Sequence, residues 1–186
     1  MGDKFSVFRY FWPLTIVMSK RKLKKYLAEL KKDALEEQLL DLYERFPLVK
    51  EYYDFIFNPK EDKLVQQAKT KISNEYFPVK RKRPKARRSV AQKFIKHFLK
   101  LGVESYLIAD VMLYNLEIAQ LFEQEKNVPD AFYKSMLNSF SEAVQFISIN
   151  ALLPEFKERI VKIYTETQER NWLFGEGFSR ALDVID

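Results

Sequence analysis

The chain has 186 residues, enough for one domain with a hydrophobic core, and its 47% hydrophobic and 31% charged residues are typical of a soluble globular protein. It has no cysteine and only four glycines, which excludes disulfides and thiolate metal sites and argues against glycine-rich phosphate loops. Residues 1–100 have 25 Lys and Arg against 12 Asp and Glu, whereas residues 101–186 have 7 against 14. This asymmetry indicates an anionic partner for the first half, or an electrostatic contact between the halves or between subunits.

The first 17 residues differ in character from the rest of the chain. Residues 5–17 are apolar and aromatic, but Pro13 interrupts them and a basic run begins at Lys20. The stretch is too short to span a bilayer and lacks a small-residue cleavage site, so no transmembrane segment or secretory signal is predicted. We expect residues 1–17 to be a non-native or flexible extension before a natural start at Met18, with a membrane-surface anchor as the alternative.

Amphipathic helices are predicted for the first part of the chain. Residues 20–31 place apolar side chains at helical spacing opposite a basic face. Asp33, with Glu36 three residues later, predicts the capped start of a second helix, which Pro47 closes. A short aromatic segment, 48–57, follows.

A polar helix and a basic linker come next. Asn58 predicts the start of a helix over 59–75, with a proline at its first position. Residues 79–88 are the one clear linker in the chain. A helix over 89–101 then ends at Gly102, which can adopt the left-handed conformation of a C-cap.

The second half contains the most apolar helix. Residues 106–126 are apolar nearly all round, which is typical of a helix contacted on several sides. Pro129 and Pro154 each predict the start of a further helix. Two glycines interrupt the pattern in residues 174–186, which we expect to be a C-terminal tail.

These patterns together predict the fold class. Helical periodicity dominates, and no run of useful length has the period of a strand. The prediction is an all-α fold, in which residues 18–173 form a single-domain irregular bundle of six to eight helices around the apolar helix 106–126.

The densest charge lies in the linker and in the helix that follows it. Seven of the nine residues from 80 to 88 are basic, and lysines recur at helical spacing from 93 to 100. Because Lys and Arg neutralise backbone phosphates and release their counterions, this pattern predicts a nucleic-acid surface. The alternatives are a solvated loop, or pairing with acidic residues of the same chain, of a protein partner or of a second copy. The candidate nucleic-acid or anion-binding residues are Lys80, Arg81, Lys82, Arg83, Lys85, Arg87, Arg88, Lys93, Lys96 and Lys100.

The first two predicted helices also have charged faces. Five basic residues lie between positions 20 and 25, and four carboxylates lie between positions 36 and 44. Both patterns are typical of solvated helix faces. The basic one also fits a second phosphate contact or a membrane-surface helix.

Residues suited to catalysis are few. His97 is the only histidine, and it falls on a charged helix face. Asp110 and Glu117 share one stripe of the most apolar helix, where burial would raise carboxylate pKa values. A structural ion pair with Arg87 or Arg88 is favoured over an acid–base or metal pair. No metal-ligand motif, phosphate loop or nucleophile elbow is present, so we expect no enzyme, cofactor or metal site.

Several segments share a recognisable combination of residues. They are Ser19-Lys20, Leu23-Lys24-Lys25-Tyr26-Leu27, Asp41-Leu42-Tyr43-Glu44-Arg45-Phe46, Val49-Lys50-Glu51-Tyr52-Tyr53-Asp54, Phe57-Asn58-Pro59, Pro84-Lys85-Ala86-Arg87-Arg88-Ser89-Val90-Ala91-Gln92-Lys93, Ile95-Lys96-His97-Phe98 and Leu101-Gly102. Over about residues 18–173 the chain resembles a bacterial domain-of-unknown-function family, family 6155. The resemblance implies a bacterial, cytoplasmic protein and supplies no activity, cofactor or catalytic residue.

Charge and resemblance together lead to one expectation about function. We expect a cytoplasmic, non-enzymatic protein that contacts the phosphate backbone of DNA or RNA through the linker and the following helix face. The alternative is a protein-interaction or self-assembly module. In that case the basic surface would meet an acidic partner surface, such as the C-terminal half of a second copy.

Overall fold

The structure is a computed structural model that describes residues 19–80 and 83–183. The described residues form nine helices and no strand, so the predicted all-α fold is confirmed. In chain order the helices are α1 (Lys20–Glu29), α2 (Lys32–Arg45), α3 (Pro47–Phe57), α4 (Glu61–Tyr76), α5 (Arg88–Leu101), α6 (Ser105–Glu125), α7 (Asp130–Ile149), α8 (Leu153–Glu169) and α9 (Gly175–Leu182).

Some of the predictions fall on parts of the chain outside this range. The extension predicted for residues 1–17 lies outside the described residues, as do Arg81 and Lys82 of the basic linker. Among the described helices, none combines the length and the apolar character that a membrane span needs.

The chain divides into two compact units, Met1–Asp54 and Phe55–Asp186. The second unit contains the hydrophobic core, since every buried hydrophobic residue among those described lies in it. The basic linker and α5 also belong to the second unit. The candidate site is therefore built on the part of the protein that has a packed interior.

Helix α6 is the centre of the second unit. It was predicted over 106–126, spans Ser105–Glu125, and packs against α4, α5, α7 and α8. Ten of its residues are buried. Val111 and Leu113 are both 0% exposed, although two residues along a helix turn a side chain through about 200°. The helix is therefore enclosed, as its apolar pattern predicted.

Most of the described residues after position 174 are helical, whereas a tail was expected for 174–186. Gly175–Leu182 forms α9, and its Phe178 is fully buried. At Gly177, an added Cβ would lie 2.6 Å from Leu137 Cδ2 of α7, so glycine allows the two helices to approach closely. Gly177 therefore contributes to helix packing and does not interrupt the helix, and the described residues form nine helices instead of the predicted six to eight.

Most helix ends lie close to their predicted positions. Gly102 has φ 80° and its N–H donates to the Phe98 carbonyl at 3.0 Å, as predicted for a left-handed C-cap. Helix α2 begins one residue before Asp33, whose carboxylate lies in the first turn and does not cap the helix. A negative charge in that turn is still favourable, because it complements the helix dipole.

The described part of the first unit, residues 19–54, contains no buried residue. Helices α1 and α2 form a hairpin, residues 20–45, in which Gln38 Nε2 donates to Tyr26 Oη at 2.7 Å. The Tyr43 hydroxyl donates to Asp54 of α3 at 2.7 Å. No residue of α1, α2 or α3 is buried. The apolar stripes predicted for these helices therefore remain accessible.

The variant Leu113→Ala tests the enclosure of α6. Because Leu113 is fully buried, its truncation should lower the free energy of unfolding by about 2–5 kcal/mol through lost burial and a residual cavity. The matched control is Leu121→Ala in the same helix, whose side chain is 49% exposed and whose loss should cost much less. Urea denaturation measures both, and equal losses would contradict the enclosure.

Candidate phosphate-binding surface

One stretch of the second unit carries charge of a single sign. Between Glu75 and Glu104 the sequence has ten Lys and Arg and no Asp or Glu. These ten are the predicted anion-binding residues. The described part of the stretch comprises the linker after α4 and the whole of α5. The contacts of its basic residues differ, and they divide these residues into groups with different roles.

Arg87 anchors the end of the linker to α4. Its Nε donates to Glu75 Oε2 at 3.0 Å and its Nη2 donates to Oε1 at 3.1 Å, a bidentate pair with a nearly buried carboxylate. The backbone carbonyl of Glu75 accepts the N–H groups of Lys85 and Ala86, both at 3.0 Å. The hydrogen bond with Glu75, together with its charge, raises the pKa of Arg87. The guanidinium of Arg87 is therefore held by a contact within the chain.

Arg88 joins α5 to α7. Its Nε donates to Ser139 Oγ at 2.8 Å, and its Nη2 lies 2.5 Å from Glu142 Oε1. Gln92, about one turn further along α5, donates from Nε2 to the other carboxylate oxygen of Glu142 at 2.8 Å. The charge of Arg88 is thus compensated within the chain.

The other described cations of the stretch are exposed. Lys93, Lys96 and Lys100 recur at helical spacing on the side of α5 opposite Ile95 and Phe98, which are buried. None of the three makes an ion pair with a described residue. The same holds for the exposed cations of the linker, which are Lys80, Arg83 and Lys85. Six of the predicted residues therefore present to solvent a charge that is not paired with any described residue.

Two depressions adjoin this surface. A groove of about 910 Å³ between α5 and α7 includes Lys96 in its lining. A smaller hollow of about 500 Å³ at the end of the linker is lined by Lys85, Arg87 and Lys126, the residue that follows α6. Lys126 was not predicted, because it stands alone among acidic neighbours in sequence and only the fold brings it beside the linker.

Asp110 and Glu117, the carboxylates considered for catalysis, are paired with Arg159 of α8. Arg159 donates to Glu117 from Nε and Nη2 at 2.9 and 3.0 Å, and to Asp110 from Nη1 at 2.8 Å. Lys69 Nζ lies 2.6 Å from the second Asp110 oxygen. Desolvation opposes the charge of Arg159, but the hydrogen bonds with both carboxylates outweigh it and raise its pKa. The predicted structural ion pair is confirmed, but the prediction that Arg87 or Arg88 would be the partner was wrong, since the partner is Arg159.

Groups that suit other chemistry are not assembled in the described residues. There, no three His, Cys, Asp or Glu side chains come together as metal ligands. His97 is half-buried on α5, with its ring centroid 6.2 Å from that of Phe98. The structure therefore places the imidazole ring near an aromatic ring of the same helix.

The fold and this surface define an all-α protein with a basic linker and a basic helix face. A family of unknown function, DUF6155, matches residues 18–186, and the chain belongs to this family. The match confirms the resemblance found in the sequence and extends it through α9. Comparison with curated proteins and with solved structures gave no match.

Removal of the Arg87 guanidinium should weaken the linker anchor. Arg87→Ala takes this cation from the nearly buried Glu75 carboxylate, so we expect a lower midpoint of thermal unfolding. Arg83→Ala makes the same change at a residue that makes no ion pair with a described residue, and should shift stability by no more than about 0.5 kcal/mol. Adding Glu75→Gln to Arg87→Ala should recover part of the loss, because the carboxylate that lost the Arg87 guanidinium is then replaced by a neutral amide. Equal midpoints for the two arginine variants would show that no such anchor exists.

Proposed function

We propose that this protein binds the phosphate backbone of DNA or RNA in the bacterial cytoplasm and that it is not an enzyme. The observation that carries the proposal is a set of exposed cations, in a stretch without acidic residues, that make no ion pair with a described residue. They are Lys80, Arg83, Lys85, Lys93, Lys96 and Lys100. Side chains of this kind can neutralise phosphates and release condensed counterions.

The lysine stripe of α5 fits the spacing of phosphates. From Lys93 to Lys100 the helix advances by about 10 Å, at about 1.5 Å per residue. One strand of B-form DNA advances about 3.4 Å per nucleotide, so the stripe spans about three phosphates. Three lysines can therefore each contact one phosphate of a strand when the axis of the duplex runs along the helix.

Apart from the exposed guanidinium of Arg83, the described part of this surface offers few groups that can stack on bases. Stacking on bases requires exposed aromatic rings or planar guanidinium groups. Phe94 of α5 is partly buried and Phe98 is fully buried, and Arg87 and Arg88 are held by carboxylates. Binding should therefore depend strongly on salt and weakly on sequence.

The alternative function, assembly through the basic surface, has less support. It requires the basic residues to meet an acidic surface of a partner or of a second copy. Arg87 and Arg88 do pair with carboxylates, but these are Glu75 and Glu142 of the same chain. The six exposed cations remain available for an external ligand, and a phosphate polymer fits their arrangement.

The salt dependence of binding to a short DNA duplex tests the proposal. Each neutralised phosphate contributes about 0.9 to the slope of log affinity against log salt. The triple variant Lys93→Ala, Lys96→Ala and Lys100→Ala should lower the slope by up to about 2.7. The triple variant Lys80→Ala, Arg83→Ala and Lys85→Ala should lower it by a similar amount, because it removes the same charge from the linker.

A third variant controls for net charge alone. Lys134→Ala, Lys157→Ala and Lys162→Ala remove the same charge from exposed positions of α7 and α8. This control should change the slope little. An equal effect of all three variants, or no binding to DNA or RNA at low salt, would overturn the proposal. A linker variant that binds normally but loses self-association would instead favour assembly.

A further inference from the structure

The hollow at the end of the linker, about 500 Å³ in volume, concentrates positive charge. Its lining contains four basic residues, which are Lys85, Arg87, Arg88 and Lys126. No described residue of the lining is acidic, and Glu75 and Glu142, which hold the two arginines, lie outside it. The volume is in the range of sites for small ligands, about 300–1,000 Å³. The hollow therefore suits a compact anion.

Three of the four cations keep donors for such an anion. Lys85 and Lys126 are exposed and make no ion pair with a described residue. Arg87 holds Glu75 through Nε and Nη2, and its Nη1 makes no hydrogen bond with a described residue. A guanidinium has five N–H donors, and this side chain is 51% exposed. Arg87 can therefore hold the linker in place and still donate to a ligand.

The start of α7 adds backbone donors and an apolar wall. This helix begins at Asp130 without a side-chain cap, and the N–H groups in the first turn of a helix have no carbonyl partner within it. Ala131 of that turn lines the hollow, whereas Asp130 does not. Free N–H groups at a helix start favour an anion. Val128 and Pro129 also line the hollow, so an apolar surface lies beside the charge.

We propose that this hollow binds the phosphate monoester at the end of a nucleic-acid strand. The inference rests on the proposed function and names the part of the nucleic acid that the hollow recognises. A monoester carries a charge of about −1.5 to −2 at pH 7, whereas a phosphate inside a strand carries a single charge. Two lysines and the free donors of Arg87 match the larger charge. Val128 and Pro129 offer a surface for the sugar or the base of the last nucleotide.

The hollow adjoins the lysine stripe of α5. Arg88 and Ser135 line both the hollow and the groove between α5 and α7, and the lining of that groove includes Lys96. Arg88 is also the first residue of α5. A strand that runs along α5 can therefore end in the hollow. A free nucleoside monophosphate carries the same phosphate group but makes no use of the stripe.

The effect of a terminal phosphate on binding tests the proposal. A short DNA duplex with terminal phosphates should bind about tenfold more tightly than the same duplex with terminal hydroxyls, a gain within reach of a few exposed ion pairs. Fluorescence anisotropy at one salt concentration measures both affinities, with the phosphate placed in turn at each kind of strand end. Equal affinities for all of these duplexes would overturn the proposal.

Two variants of the hollow test where the phosphate binds. Lys126→Ala should remove the preference and leave the affinity for the duplex with terminal hydroxyls nearly unchanged, because Lys126 is not among the six cations proposed to contact the backbone. Ala131→Glu should also remove the preference, since it places a carboxylate in the hollow. An acidic residue in the first turn of a helix is favourable, so the fold should be kept, and circular dichroism measures this.

A matched control separates the hollow from net charge. Lys134→Ala removes one charge from an exposed position of α7 outside the lining of the hollow. The preference for the terminal phosphate should persist in this variant. If it is lost to the same extent as in Lys126→Ala and Ala131→Glu, the effect belongs to net charge and the proposal is overturned.

Calorimetric titration with a nucleoside monophosphate distinguishes the two sources of the phosphate. Binding that both variants of the hollow abolish, without any preference between the duplexes, would assign the hollow to a free nucleotide and overturn the strand-end proposal. Duplexes that bind equally whatever their ends would overturn this inference and leave the proposed function intact. Absence of all duplex binding at low salt would instead overturn the proposed function, and the strand-end proposal with it.

Discussion

The enclosure of α6 is the constraint on which the rest of the second unit depends. Because ten of its residues are buried, the helices α4, α5, α7 and α8 must each turn an apolar face toward it. The remaining face of each helix is then available for charge, and on α5 that face carries the lysine stripe. Burial of Ile95 and Phe98 therefore determines where Lys93, Lys96 and Lys100 point.

Burial also explains how the unit distributes its cations. A carboxylate withdrawn from water needs a partner, and a guanidinium can hold both of its oxygens at once. The nearly buried Glu75 is paired in this way with Arg87, and the partly exposed Glu117 is held in the same bidentate way by Arg159. Apart from Lys69, which contacts Asp110, arginine is the basic partner in the ion pairs between described residues of this unit, whereas the exposed stripe of α5 consists of lysines. In this unit arginine therefore mainly stabilises carboxylates within the chain, and the exposed lysines of α5 face solvent.

Local patterns in the sequence were sufficient to predict most of the helices. The apolar character of 106–126 and the C-cap at Gly102 depend on neighbouring residues alone, and both are confirmed. The role of Gly177 depends on Leu137, forty positions away in sequence, so α9 was not predicted.

The candidate surface was predicted only in part, for a similar reason. A run of basic residues shows how much charge is present but not which carboxylates the fold brings near it. Glu75 and Glu142 lie on other helices, so only the packing of α4 and α7 against the linker and α5 makes them partners of Arg87 and Arg88. Helix packing likewise places Lys126 in the same hollow as Lys85 and Arg87.

Both ends of the linker are held near a single residue, Glu75. The backbone carbonyl of Glu75 accepts N–H groups from Lys85 and Ala86, and its carboxylate holds Arg87. These bonds, and not the number of residues between them, determine how far the end of α4 lies from the start of α5. Lengthening a loop closed in this way costs little, about 0.6 kcal/mol for each doubling of its length. The tip can therefore gain or lose residues, and with them positive charge, while the helices keep their positions.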